Sequence, residues 1–88
     1  MSNTIYYSNQ AQKYLLRLTP AKTKSVLTRL KFIAESPTKP DNNIVKLVGS
    51  KSSYRLRIGN IRVIYYLDVE KTSIYVVKIA PRGSAYSS

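Results

Sequence analysis

The stretch Tyr54-Arg55-Leu56-Arg57-Ile58-Gly59-Asn60-Ile61-Arg62-Val63-Ile64-Tyr65 is two alternating runs around a Gly-Asn pair, a pattern that admits little besides a β-hairpin with a two-residue loop. With Gly59 and Asn60 as the loop, Ile58 lies opposite Ile61 and Arg57 opposite Arg62. Side chains alternate along a strand, so Arg55, Arg57, Arg62, Ile64 and Tyr66 share one face, and Tyr54, Leu56, Ile58, Ile61, Val63, Tyr65 and Leu67 share the other. The second face is core. The first sets two guanidinium groups directly across a strand pair, where like charges repel. A fold that keeps such a pair points to an anion held between them.

The rest of the chain supplies what that hairpin must pack against. Thr4 to Tyr7 is β-branched and aromatic and suits a strand. Ser8 follows as a helix N-cap, and Ala11, Tyr14, Leu15 and Leu18 recur at the spacing of an amphipathic helix. Thr19-Pro20 ends that helix and starts another, with Thr19 as N-cap and Pro20 at the first helical position. Val26, Leu27, Leu30, Ile33 and Ala34 repeat the apolar stripe, while Lys13, Arg17, Lys22, Lys24, Arg29 and Lys31 belong to solvated helix faces. Residues Ser36 to Asn43 are turn chemistry and separate helices from strands. Ile44 to Val48 gives a short strand, the hairpin follows, and after a turn from Asp68 to Thr72 the last strand runs from Ser73 to Ala80. Apolar residues on both faces of that strand mark it as interior. The expected fold is α+β in the order β-α-α-β-β-β-β: a small, antiparallel-dominated sheet with an N-terminal helical hairpin on one face.

Eighty-eight residues make one domain, spanning 1–88. Fifteen Lys and Arg against four acids give a formal charge of +11, spread along the whole chain rather than gathered in a tail. Polyanions are the expected partners, nucleic acid first, beside the plainer reading of a basic soluble protein that needs an acidic protein partner. The chain has no cysteine and no histidine. That excludes disulfides, the usual zinc sites, Ser-His and Cys-His nucleophilic pairs and histidine acid–base work, and no metal or cofactor is expected. No window approaches the ~18 apolar residues of a membrane span, and no basic-then-apolar leader opens the chain. The cytoplasm is the default location, with no membrane partner.

The run Lys46-Leu47-Val48-Gly49-Ser50, the hairpin itself, and a last strand ending Pro81-Arg82-Gly83-Ser84-Ala85-Tyr86 together resemble the RelE/ParE superfamily of toxins from toxin–antitoxin systems, its RelE branch above all. The likeness covers nearly the whole chain, and the segment from Tyr54 to Tyr86 is its most specific part. It implies a RelE-like fold and a ribosome-dependent endoribonuclease that enters the A site, cuts the exposed mRNA codon and is silenced by a co-encoded antitoxin. It also implies site residues. Arg55 and Arg57 fall where RelE-type enzymes carry two basic residues before the hairpin turn, commonly lysines. Arg62 matches the basic residue after the turn, Arg82 the one after the last strand, and Tyr86 the C-terminal tyrosine four residues further on. The chain departs from the pattern at Pro81-Arg82-Gly83-Ser84, where relatives often carry a second basic residue or a histidine.

Chemistry argued from the residues meets that assignment. RNA cleavage by attack of a 2′-hydroxyl on the adjacent phosphorus needs charge stabilisation on the phosphate oxygens, removal of the nucleophile's proton and a proton for the leaving oxygen. Arginine's planar fork serves the first need. It serves the second poorly, because arginine does not readily give up a proton. Glu35, Asp41, Asp68 and Glu70 fall in turns or at a helix end rather than on the arginine face. Tyr86 is then the candidate for moving the nucleophile's proton, its phenol acidified by neighbouring arginines, with Arg82 assisting the leaving oxygen. Lys51, Tyr66 and Lys78 are candidate RNA contacts, Tyr66 as a stacking platform and Lys78 either at a sheet edge or facing the site. Three other readings stay open: an arginine face that is merely solvated or docks an acidic antitoxin helix, a ParE-like inhibitor of DNA gyrase, and a noncatalytic RNA-binding module.

Overall fold

A β-branched and aromatic start, a serine able to cap and an apolar stripe at helical spacing set the first third of the fold. The structure, a computed structural model, describes residues 3–37, 39, 41–49 and 52–81. Strand β1, Thr4–Tyr7, leads to helix α1, Asn9–Arg17, capped by Ser8. The Ser8 hydroxyl accepts from the Ala11 N–H at 3.1 Å and donates to the Val77 carbonyl at 2.7 Å, so one side chain caps the helix and ties it to the sheet. Thr19 caps helix α2, Pro20–Glu35, with Pro20 in the first turn, where its missing N–H is no loss. Four strands follow: β2, Ile44–Lys46; β3, Ser53–Ile58; β4, Ile61–Asp68; and β5, Ser73–Pro81. The element order is the expected one, with β2 shorter than the Ile44 to Val48 pattern suggested.

The five strands form one mixed sheet in the order β1-β5-β4-β3-β2. β1 runs parallel to β5, and the other neighbours pair antiparallel. The hairpin takes the expected register, with Arg57 opposite Arg62 and Ile58 opposite Ile61. Gly59 at φ 54° supplies the left-handed residue of the loop, and Asn60 has no positive φ, the II′ arrangement whose twist suits the flanking strands. β5 is interior, as its apolar faces suggested. Because β1 stops short, the side-chain amide of Gln10 continues the pairing along β5. Its Nε2 donates to the Ile79 carbonyl at 2.7 Å and its Oε1 accepts from the Ile79 N–H at 2.9 Å, closing what would be an open sheet edge.

Both helices pack on the apolar face of the sheet, where Ala11, Val26, Leu30, Ile33 and Ala34 meet Leu56, Val63, Tyr65, Ile74, Val76 and Ile79. Burying each large side chain contributes roughly 1.5–3 kcal/mol, which is what holds so small a fold together. Tyr65 is buried and stacks on Tyr54, ring centroids 5.5 Å apart, and burial pushes its phenol up to about 12.

Three details differ from the sequence-based expectation. Leu27 is 39% exposed, because the buried stripe follows Val26, Leu30, Ile33 and Ala34, and Leu27 lies a helical step round from it. Arg29 is not a solvated cation: the loop after α2 folds back to set Asp41 against it at 2.7 Å. The alternation of β5 breaks at a bulge, Ile64 facing Lys78 while Tyr65 faces Val76, so that Val76 and Ile79 both reach the core and Val77 is 51% exposed. Among the described residues no helix is long and apolar enough to cross a membrane.

Candidate functional site

Strand alternation puts the core residues of the hairpin under the helices and everything between them on the opposite face. The registers order that face into rows. Arg57, Arg62 and Ala80 make the row nearest the hairpin loop; Val45, Arg55, Ile64 and Lys78 make the next; Ser53, Tyr66, Tyr75 and Tyr6 make a third. Arg55, Arg57 and Arg62 converge with Asn42, Asn43 and Val45 on one pocket of about 120 Å³. At ~30 Å³ for each water displaced, a space of that size takes a phosphate-sized anion.

The like-charged pair opposite each other in this pocket is tolerated because each guanidinium turns to neutral acceptors on its own side. Arg57 is exposed, and its Nε and Nη2 both donate to Asn43 Oδ1, at 3.4 and 3.1 Å. Arg62 is only 6% exposed, and its Nη1 donates to the carbonyls of Gly59 and Ile61 at 3.2 and 3.3 Å, which folds it over the hairpin loop. Both cations are thereby positioned before any ligand arrives, the condition under which fixed charges stabilise developing negative charge best.

A relay anchors the Arg57 fork to the helical layer. Arg29 of α2 donates through Nη2 to Asp41 Oδ2 at 2.7 Å; Asp41 Oδ1 accepts from the Asn43 N–H at 2.7 Å; and the Asn43 carbonyl accepts from the Arg57 N–H at 2.8 Å. The Arg29 guanidinium, with the Asn43 N–H behind it, holds the Asp41 carboxyl below the usual carboxylate range. From sequence, Asp41-Asn42-Asn43 reads only as turn chemistry, and its Asx pattern is the one available signal for this support.

Of the other site residues expected from sequence, Lys78 is half-buried opposite Ile64 and so faces the arginines rather than a sheet edge. Tyr66 lies on the same face, 41% exposed. Lys51, Arg82 and Tyr86 lie outside the described residues. β5 ends at Pro81, opposite Ile61 and beside the Arg62 row. Asp68, expected in a turn, is the last residue of β4, where its Oδ1 accepts from the Lys71 N–H at 3.1 Å at the end of the sheet away from the hairpin loop. Tyr6 and Tyr75, which the sequence marks only as strand formers, join Tyr66 in its row.

No family sequence model and no curated protein sequence matches the chain. Solved structures do. A chain of the RelE–RelB complex from the archaeon Pyrococcus horikoshii OT3 is 28% identical, with 94% of this chain and 98% of that chain covered and a TM-score of 0.82. The isolated E. coli RelE toxin is 22% identical over 98% of this chain and 93% of its own, TM-score 0.78. A chain of the RelBE2 toxin–antitoxin complex from Mycobacterium tuberculosis is 20% identical over 93% of this chain and 100% of its own, TM-score 0.71, a likeness of fold alone. The sheet order, the helical hairpin over one face and the match over nearly the whole of both chains give this chain the fold of the archaeal RelE–RelB complex chain and of the RelE toxins.

Proposed function

We propose that this chain is the toxin of a toxin–antitoxin pair and acts as an endoribonuclease that cuts mRNA in the ribosomal A site by 2′-hydroxyl attack, without a metal ion. The observation that carries the reading is the convergence of Arg55, Arg57 and Arg62 on one phosphate-sized pocket on the sheet face opposite the helices. In the reaction the 2′-oxygen loses its proton and bonds to the adjacent phosphorus while the bond to the 5′-oxygen breaks and that oxygen gains a proton. The products are a 2′,3′-cyclic phosphate and a 5′-hydroxyl. Arg62, fixed over the hairpin loop, and Arg57, held by Asn43, bind the non-bridging oxygens as negative charge builds on them; Arg55 completes the cradle. Tyr86 moves the nucleophile's proton and Arg82 assists the leaving oxygen. Lys51 and Lys78 meet flanking phosphates.

The RelE-type resemblance of the hairpin supports ribosome dependence, and the likeness to chains of RelE–RelB complexes supports an antitoxin partner. A surface of charge +11 suits an acidic antitoxin that masks the arginines, and the cytoplasm is where such a toxin meets ribosomes. The test is incubation with ribosomes programmed to leave the A site empty, beside free mRNA, with end mapping and an Arg57→Ala control. Cleavage on ribosomes alone, abolished in the variant, is the expected result. Intact mRNA on toxin-bound ribosomes would sink the nuclease reading, and Tyr86→Phe at full activity would remove Tyr86 from its role.

A further inference from the structure

Among the described residues two tyrosine clusters lie on opposite faces of the sheet. Tyr54 and Tyr65 stack under the helices and fill the core. Tyr6, Tyr75 and Tyr66 stand in one row on the opposite face, contributed by the three adjacent strands β1, β5 and β4. Tyr6 and Tyr75 are stacked, centroids 5.2 Å apart and planes 16° from parallel; Tyr66 leans against Tyr75 at 6.3 Å and 50°. Cross-strand packing fixes the rings, yet Tyr6 is 49% and Tyr66 41% exposed, and they belong to the face away from the core.

From this geometry we propose that the Tyr66–Tyr75–Tyr6 row is a base-stacking subsite for single-stranded RNA, holding unpaired bases beside the phosphate pocket; the proposal rests on the RNA-cutting reading of that pocket. Three relations support it. The row lies along β4 two residues from Ile64 and four from Arg62, or ~7 and ~13 Å at strand rise, within reach of neighbouring nucleotides of one strand. Arg55 and Lys78 stand in the row between, where they meet the connecting phosphates. The row extends on β3 to Ser53, and Asp68 in the row beyond places a carboxylate past the tyrosines. Fixed aromatic rings on a basic sheet face stack bases without reading sequence. The rings, rather than the pocket, then set how RNA is registered for cutting.

The test compares two fluorescent oligonucleotides of equal length and charge, an oligoadenylate and its abasic analogue, by anisotropy at fixed salt. Wild type is expected to bind the base-bearing strand tighter, on the order of 10-fold for one stacked base. Tyr6→Leu/Tyr66→Leu should erase that preference and leave abasic affinity and its salt slope unchanged, while Tyr66→Phe, which keeps the ring, should retain it. Arg55→Ala should weaken both strands alike. Equal wild-type affinity for the two strands overturns the stacking proposal with the phosphate site intact and leaves the tyrosines to a protein partner. Preference surviving in the double leucine variant overturns it as well. Failure of both strands to bind wild type overturns it together with the RNA reading beneath it.

Discussion

Replacing Asn43 by aspartate separates stability from function with a change of one atom. Asn43 Oδ1 accepts both donors of the Arg57 fork at 3.1 and 3.4 Å, so Asn43→Asp turns a neutral acceptor into a charged one. A hydrogen bond to a charged group contributes about 1.5–3 kcal/mol against 0.5–1.5 for a neutral one, less at an exposed fork, and the nearby Asp41 carboxylate offsets part of the gain. The net expectation is zero to about +1 kcal/mol, a Tm unchanged or raised by up to roughly 8 °C for a domain of this size. The pocket fares oppositely. A carboxylate about 6 Å from a bound phosphate costs ~3 kcal/mol at an effective dielectric of 20, and screening at physiological salt brings this to about 1.5. RNA affinity should fall by roughly 10- to 100-fold, and the salt slope for single-stranded RNA should shrink by about 0.7 for each phosphate the pocket no longer holds. Thermal melts and salt-resolved anisotropy on the same preparation read both. Wild-type affinity in Asn43→Asp would show that no phosphate occupies the pocket, and a Tm lowered by several degrees would refute the fork.

Gln10→Ala should leave the part-buried N–H and carbonyl of Ile79 unpartnered, at about 1–3 kcal/mol, and lower Tm by roughly 5–20 °C; an unchanged melt would contradict the edge-closing role. Thr72 holds φ 48°, a conformation that strains a β-branched residue, so Thr72→Gly should gain about 0.5–1 kcal/mol, read as a higher urea midpoint with an unchanged m-value. Asp41 titrates below the usual carboxylate range in the fold, so its contribution is complete above its unfolded pKa of ~4 and disappears as pH falls from there through the lower folded value. Asp41→Asn should flatten that part of the acid unfolding curve and weaken RNA binding at neutral pH by freeing Asn43; a curve of wild-type steepness would show that the relay adds nothing.

The hairpin is legible in the sequence because three local signals agree there: period-two alternation, a glycine able to take positive φ, and a loop of two residues. Those signals fix the register, and the register alone puts Arg55, Arg57 and Arg62 on one face. The helix caps at Ser8 and Thr19 are legible for the same reason, being local. What escapes depends on pairings distant in sequence. Nothing local tells that Arg29 meets Asp41 or that Asn43 receives the Arg57 fork, since a fourteen-residue separation in the second case is bridged only by the sheet. The bulge at Val77 escapes because Tyr75-Val76-Val77 is apolar without a break, so alternation offers no sign of where the phase slips. Tyr6 and Tyr75 become neighbours only through the parallel pairing of the first and last strands.

The most direct test of the account uses ribosomes programmed with an mRNA whose A-site codon is all ribose or all 2′-deoxyribose, incubated with the wild-type chain. Cleavage of the ribose codon alone, leaving a 2′,3′-cyclic phosphate and a 5′-hydroxyl, is the predicted result. Cutting of both codons would contradict attack by the RNA's own hydroxyl within an arginine cradle.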